Sequence, residues 1–406
     1  MLHHRLTMVS LFTGAAGLDI GLERSGFVTA AANGSDKYAC ATLRRNQLLR
    51  HVVPETTGHY HLAGTKIIEG DVTNLVGTDF IPDNVENHWR PGALVGGPPC
   101  QSFSSAGSQR SLSDPRGQLF REFVRLAEEL RPRIILFENV RGLVTARGPN
   151  GIPGEAVNMI WESFEAIGYA TSFRVLNSAD YGAPQRRARM FMFAAAPDAV
   201  LPKFPPPTHG RDGSAPKPWV TLREFLSGRP EPAASEVVRP SDTLLRQLEG
   251  LPDGSGLRSP GRAEPTRPGG HWGYKQGTFI ADQDLPARTV TGAATQDWVR
   301  RPETGLRRIT LREAAGIQGF PEAWQYVGPR AAQFQQVGNA VPVVFGEVLG
   351  AAIVAALQTT VSVPPTSIPF PDHMHAAINY AARDDARNGV ARPRSPLYTS
   401  ATGRQT

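Results

Sequence analysis

The amino-acid sequence predicts an α/β fold, with a doubly wound, mostly parallel sheet and a smaller irregular domain attached. Three observations carry that prediction. Strand-like and helix-like stretches alternate through the first 200 residues, the pattern of repeated βαβ units. The stretch GALVGG (92–97) is apolar without polar alternation, as a strand buried on both faces requires. From Pro197 to about Gly305 the texture changes, with Pro, Gly, Arg and Ser dominating and helical periodicity surviving only in short pieces.

In chain order, MVSLFTG reads as a strand ending at Gly14, and GLDIGLERSG as an amphipathic helix closed at Gly26. FVTAAA is the next strand. DKYACATLRRN is the next helix, with Asp36 placed to cap it. KIIEGDVT ends a third strand in an acidic turn, and GALVGG is the fourth. GQLFREFVRLAEEL is a helix with Leu119, Phe123, Leu126 and Leu130 along one face. PRIILFENV, VNMIWESFEAIG and RMFMFAAA supply a fifth strand, a further helix and a further strand. Beyond Pro197, TLREFL and DTLLRQLEGL are short helical pieces, and Trp219, Trp272, Tyr274, Phe279 and Trp298 are available to anchor a small core. Helical periodicity returns in TLREAAGIQGF and ends in NAVPVVFGEVLGAAIVAAL, with Pro342 in the first turn. After Gln358 the chain is rich in Pro, Ser, Thr and Arg, the composition of a mobile tail. The division that follows is 1–196 with 330–358, then 197–329, then a flexible tail at 359–406. There is no internal repeat.

Composition narrows the function classes. Hydrophobic residues make up 40% and charged residues 20% of the 406, an ordinary soluble balance. The net charge of +6 suits a polyanionic partner without specifying one. No run of apolar residues approaches the roughly 18 needed to span a bilayer, and MLHHRLTMVSLF has no signal-peptide apolar region or cleavage site. Cys40 and Cys100 are the only cysteines; two cannot form a disulfide framework, and a reducing cytoplasmic setting fits. His59 and His61, without further ligands, read as a strand end, and no metal is expected.

The chemistry-bearing stretches cluster at one edge of the expected sheet. LFTGAAGLDIG is a strand running through Gly14 and Gly17 into a helix, the geometry of a nucleotide-like cofactor turn or simply of a tight structural one. Asp19 stands where a dinucleotide fingerprint needs its third glycine, and no phosphate-loop Lys-Ser or Lys-Thr follows. Asp36 and Asp71 end neighbouring strands on the edge where open α/β sheets bind ligands. An adenosine-containing cofactor without a pyrophosphate suits that edge, with Phe12 to stack and a carboxylate for the adenine amine. In GGPPCQSFSSAG, prolines set Cys100 on a rigid corner and small residues follow it; the thiol is either a nucleophile or a small packed residue. ENV places Glu138 at an equivalent height, either as a reactive carboxylate or as an exposed strand end. In QRRAR, Arg187 and Arg189 alternate toward one face and Arg186 toward the other. A cysteine, a carboxylate and paired arginines beside an adenosine-type pocket form a nucleophilic-catalysis constellation.

In this order the stretches resemble the DNA cytosine-5 methyltransferase family. LFTGAAGLDIGLERSGF, GDVT, GGPPCQSFSSAG, DPRGQLF, ENV, QRRAR, RRITLREAAGIQGFP and QVGNAVP are eight motifs kept in sequence over roughly residues 8 to 357. The resemblance implies a Rossmann-like, S-adenosylmethionine-dependent methyltransferase fold. It also implies methylation of carbon 5 of a flipped-out cytosine through a covalent cysteine adduct. Cys100 is then the nucleophile on carbon 6. Glu138 holds the ring nitrogen and exocyclic amine, which requires its pKa to rise from about 4.3 toward neutrality. Arg189 holds the 2-oxo group, and Arg187 supports the loop and the carboxylate. Pro99, Gln101 and Ser104 lie beside the opened strand. The resemblance assigns S-adenosyl-L-methionine to Phe12, Gly14, Gly17, Asp71, Leu119 and Asn339. Four positions depart from the family pattern: Ala16 replaces a common glycine, Ala340 stands where a serine is frequent, and Gly34 and Ser35 replace a ribose-binding glutamate and an aromatic. Asp36 is the nearby carboxylate that can substitute, and weaker cofactor binding than usual is expected.

The 197–329 segment corresponds to the target-recognition domain. GGHWGYKQGTF and RTVTGAATQDW offer Arg, Trp, Tyr, Thr and Gln for base edges, or their aromatics form the small domain's core. The expected partner is double-stranded DNA, met by a monomeric prokaryotic modification enzyme in the cytoplasm. Two alternatives stay open from sequence: the same chemistry on RNA, and a DNA-binding protein that keeps the scaffold without turnover.

Overall fold

The apolar GALVGG stretch forms the middle of a seven-stranded sheet. The computed structural model describes residues 6–51, 53, 59–83, 85, 89–99, 119–257, 278–371, 374–376, 378–379 and 381. Across the main sheet the strands are β3 (Lys66–Glu69), β2 (Val28–Gly34), β1 (Thr7–Leu11), β4 (Ala93–Gly96), β5 (Ile134–Val140), β7 (Ala188–Ala195) and β6 (Ala170–Asn177). β1 to β5 are parallel, and β7 runs antiparallel between β5 and β6. The order reverses between β1 and β4, the switch point at which such sheets receive ligands.

Alternate residues of each strand feed opposite faces. Met8, Val95, Leu136 and Phe191 face α1 (Gly17–Arg24) and α9 (Val343–Gln358), while Val9, Leu94, Ile135 and Phe137 face α3 (Leu119–Leu130) and α4 (Glu155–Ala166). α2 (Lys37–Leu49) starts where the sequence places it, because the Asp36 side chain accepts from Ala39 N at 2.8 Å. The stretch Arg330–Gln358 is long and apolar enough, by length and composition, to cross a membrane, contrary to the expectation that no run qualifies. Its apolar residues are core: Phe345, Leu349, Ile353 and Leu357 are buried. α1 and α9 meet backbone to backbone, since a Cβ on Gly21 would fall 2.1 Å from Val343 O.

Two elements differ from the sequence reading. β6 is an unanticipated strand, because Ser172, Arg174 and Asn177 interrupt its apolar pattern; it is an edge strand, where polar residues are tolerated. The segment after Gln358 is not a mobile tail over its first part. Thr171 N on β6 donates to Ser367 Oγ (2.9 Å), and Ile368 N donates to Thr171 O (2.8 Å). Phe370 packs edge-on against Trp161 and Phe173, and Met374 and Ile378 are buried. An exposed sheet edge and an apolar groove are thereby covered, which outweighs the Pro- and Ser-rich composition. Residues 382–406 lie outside the described residues.

Between β7 and α9 come β8 (His209–Gly210), β9 (Lys217–Pro218), α5 (Leu222–Ser227), α6 (Asp242–Glu249), β10 (Ser255–Gly256), β11 (Phe279–Ile280), β12 (Trp298–Arg301), β13 (Gly305–Arg308), α7 (Leu311–Ile317) and α8 (Arg330–Asn339). β10 to β13 form a small sheet over Leu248, Ile280 and Trp298. Of the expected aromatic anchors, Phe279 and Trp298 are buried. Trp219 donates to Asp180 at 2.9 Å, and Trp272 and Tyr274 lie outside the described residues. Leu222, Leu226, Val290 and Ile317 share one apolar cluster with Ala15, Ala16 and Ile20, so this part is packed against the turn between β1 and α1.

Asp19, in the first turn of α1, is buried, and its Oδ1 has no hydrogen-bond partner among the described residues. Burial pushes its pKa from 3.8 to about 7, against the opposing Ser10 hydroxyl and with a further push from Glu23. The folded state therefore binds the proton more tightly than the unfolded chain, and stability falls as pH rises from about 4 to about 7, by roughly 1.4 kcal/mol per pKa unit. The thermal stability of Asp19→Asn is expected to gain on that of the native protein progressively between pH 4 and pH 7. A pH-independent difference would exclude Asp19 as the source.

Candidate active site

The parallel strands deliver five turns to one edge. After β1, Phe12 and Ala16 both take left-handed backbone angles (φ 56° and 68°), as does Gly14 (φ 58°). A side chain costs about 1–2 kcal/mol in that region, and the departure at Ala16 carries that cost. A Cβ on Gly14 would meet nothing within 4 Å among the described residues. Gly17 is glycine for a different reason: its Cβ would fall 2.3 Å from Val341 O.

The neighbouring strand ends are laced together. Thr13 N donates to Asn33 O (2.9 Å), Asn33 Nδ2 donates to Ile68 O and Gly70 O (3.2 and 3.1 Å), and Gly70 N donates to Gly34 O (3.0 Å). Asn33 holds this edge together and was missed in the sequence, where its only signal is a polar residue at a strand end. Asp36 and Asp71 follow those strand ends, both exposed. Asp36 is engaged as the α2 cap. Asp71 Oδ1 accepts from Thr73 N (3.0 Å) and Thr73 Oγ1 (2.9 Å). Phe12 and Leu119 pack half-buried against the same apolar cluster. A Cβ on Gly34 would make only an ordinary 3.5 Å contact with Cys40 Sγ. The backbone there has room for the side chain that is missing.

At the ends of β4 and β5 lies a buried charge pair. Glu138 and Arg189 are diagonal neighbours across the β5–β7 ladder, and Arg189 Nε lies 3.0 Å from Glu138 Oε1. Burial raises the Glu138 pKa, opposed first by Arg189 and then by Arg187. The net upward shift is the direction the resemblance requires. Gly97 makes room for it: a Cβ there would fall 2.3 Å from Glu138 Oε2. The next residue, Asn139, donates from Nδ2 to Pro98 O at 3.3 Å, joining β5 to the proline corner. Pro99 is exposed at the end of this corner; Cys100, Gln101 and Ser104 lie outside the described residues. Cys40 is buried, donates to Gly34 O at 3.3 Å, and has its thiol pushed up to about 11 by burial, so it stays protonated at neutral pH and is no nucleophile.

Arg187 and Arg189 have different tasks. Arg187 is buried and donates to Val290 O (2.7 Å) and Gly338 O (2.6 Å). Asn339, the last residue of α8, is exposed beside Gly292. Several polar residues expected to read base edges are occupied within the fold. Arg288 pairs with both oxygens of Asp297 and stacks on Phe279 at 3.8 Å, Thr289 Oγ1 donates to Arg186 O, and Gln296 Nε2 donates to Thr291 O. Ala293, Ala294 and Thr295 between them are exposed. Among the histidine candidates, His61 is buried against Glu23 (2.8 Å).

The sequence profile of the C-5 cytosine-specific DNA methylases matches residues 6–355. The Type II methyltransferase M.NgoFVII of Neisseria gonorrhoeae is 31% identical over 341 residues, covering 82% of this chain and 83% of that one. The Type II methyltransferase M.Eco47II of Escherichia coli is 33% identical over 385 residues, covering 87% and 79%. Among solved structures, the S. pombe Dnmt2 methyltransferase superposes with a TM-score of 0.58 at 17% identity, over 87% of this chain and 100% of that one. The Entamoeba histolytica methyltransferase EhMeth gives 0.58 at 15%, over 87% and 99%. These two likenesses are of fold.

The 2.3 Å approach at Gly97 generates a specific expectation. Gly97→Ala must displace the Glu138 carboxylate, since the three atoms nearest the added Cβ all belong to Glu138. Turnover is expected to fall by about 100-fold, the scale of a 1 Å misplacement, with the melting temperature and cofactor affinity close to native. Native turnover in Gly97→Ala would show that Glu138 does not work from its observed position.

Proposed function

The chain belongs to the C-5 cytosine-specific DNA methylases, and on that footing we propose that it methylates a flipped-out cytosine in duplex DNA through a covalent Cys100 adduct. The observation that carries the proposal is the buried Glu138 carboxyl, 3.0 Å from Arg189 and pressed on the Gly97 backbone three residues before Cys100. The Cys100 thiolate adds to C6 of cytosine, and the displaced C5–C6 electron pair passes into the ring. Glu138, whose pKa burial raises, donates a proton to the ring nitrogen and neutralises that charge. Arg189 holds the 2-oxo oxygen, and Arg187 fixes the backbone behind it. C5, now nucleophilic, is the atom methylated; loss of its proton and departure of the thiolate restore the ring. Pro99, Gln101 and Ser104 flank the opened strand. Flipping the base costs a few kcal/mol, recovered through contacts in the pocket.

The edge formed by β1 to β3 fits S-adenosyl-L-methionine. The Gly14 turn has room for an added Cβ among the described residues, Phe12 and Leu119 offer apolar surface, and Asp71 offers a carboxylate for the adenine amine. Gly17 and Asn339 serve the methionine end. When bound, S-adenosylmethionine supplies an electrophilic methyl group. The Type II names of the relatives support a prokaryotic modification enzyme, either partnered with a restriction enzyme or solitary. We take it to act as a cytoplasmic monomer, with 197–329 selecting the DNA sequence and 1–196 with 330–358 carrying the chemistry.

Transfer from labelled S-adenosylmethionine to genomic DNA, with bisulfite sequencing, is expected to reveal methylcytosine at one short sequence; intact DNA binding without transfer would sink the catalytic proposal. Cys100→Ser is expected to abolish covalent trapping on 5-fluorocytosine DNA, and persistent trapping would assign the nucleophile elsewhere. For the ribose, Asp36→Ser keeps a capping oxygen while removing the carboxylate. S-adenosylmethionine affinity by calorimetry is expected to fall about 10- to 100-fold, the equivalent of a charged hydrogen bond of 1.5–3 kcal/mol. An unchanged affinity would reduce Asp36 to a helix cap.

A further inference from the structure

Behind the Glu138–Arg189 pair, three segments far apart in sequence are tied by side chains that are almost wholly buried. Gln185 Oε1 accepts from Val290 N (2.7 Å), and its Nε2 donates to Gln318 Oε1 (2.8 Å). Gln318 Nε2 donates to Val337 O (2.7 Å) and Ala340 O (3.2 Å), and Gln318 O accepts from Val343 N (2.9 Å). Arg187 closes the circuit through Val290 O and Gly338 O. Val290 is thus held by both of its backbone polar groups, and three carbonyls of the 337–340 turn are held by two side chains. That turn also touches both ligand sides. Gly338 packs with no room for a Cβ, which would lie 2.1 Å from Gly292 N, and Val341 O lies against Gly17 of the cofactor turn.

We propose that Gln318 is a positioning residue for methyl transfer. Through Gln185 and the 337–340 turn it holds Arg187 beside Glu138, and so couples the cofactor turn and the 290–292 segment to the reacting base. It touches neither cytosine nor cofactor in this role. The proposal rests on Glu138 and Arg189 acting as the catalytic pair. Among the described residues, the charges that act on Glu138 are those of Arg189, 3.0 Å away, and Arg187. A displaced Arg187 favours the ionised carboxyl less, so Glu138 stays protonated to higher pH.

Gln318→Met keeps the volume and removes the amide. Its kcat, expressed per site trapped on 5-fluorocytosine DNA so that unfolded protein does not count, is expected to fall by about 10- to 100-fold. The alkaline limb of its kcat–pH profile is expected to move upward while KM for DNA changes little. In a double-mutant cycle, Gln185→Met/Gln318→Met is expected to lose less than the product of the two single losses, because the amides bond each other. Should Gln318→Met fail to fold, Gln185→Met breaks the same pair and carries the same profile test. An unmoved pH profile with multiplicative losses would make Gln318 a purely structural residue and overturn the inference. A native enzyme that transfers no methyl group would overturn the catalytic pair itself, and the inference with it.

Discussion

Burying a carboxyl group at the end of a β-strand is the constraint around which this site is organised. Glu138 has almost no solvent to share its charge with, and an isolated carboxylate in such a place either takes a proton or finds a cation. Here both responses operate at once. Burial pushes the pKa up while Arg189 and Arg187 hold it down, and the net direction is upward. The antiparallel insertion of β7 makes this possible, because it sets Arg189 on the same face as Glu138, one diagonal step away.

Close backbone approach is the second theme, and it uses glycine sparingly. Gly97 lets the carboxyl lie against the chain that leads to Cys100, and Gly21 lets α1 sit directly on α9. The second contact fixes the helix that follows the cofactor turn. The first fixes the height of the acid relative to the proline corner. One added carbon would push the carboxylate aside at Gly97 and would force the backbones of α1 and α9 apart at Gly21.

The second part of the chain is held by polar ties rather than by a large core of its own. Arg307 is fully buried, pairs with both oxygens of Glu313 (2.9 and 2.8 Å), and reaches Glu231 at 3.2 Å. Removing one partner of such a pair costs about 3–5 kcal/mol, so the junction between β13 and α7 is stiff. The buried amides of Gln185 and Gln318 do the same on the catalytic side. Residues of the 197–329 segment that read as candidates for base edges, such as Arg288 and Gln296, are spent on this internal scaffolding.

Periodicity and turn chemistry made much of this legible from sequence. The strand–helix alternation, the two-face burial of GALVGG, the Asp36 cap, and the shared edge of Gly14, Asp71 and Glu138 all follow from interactions within a few residues. The structure decided what each buried polar group pairs with. Arg187 finds Val290 and Gly338 more than a hundred residues away, Gln318 meets Gln185, and Ser367, Ile368 and Phe370 cover the polar edge of β6. Local patterns encode whether a position is buried, since that depends on hydrophobic period alone. They do not encode the partner, because a buried hydrogen bond is satisfied by whichever distant donor or acceptor the closed chain brings within 3 Å.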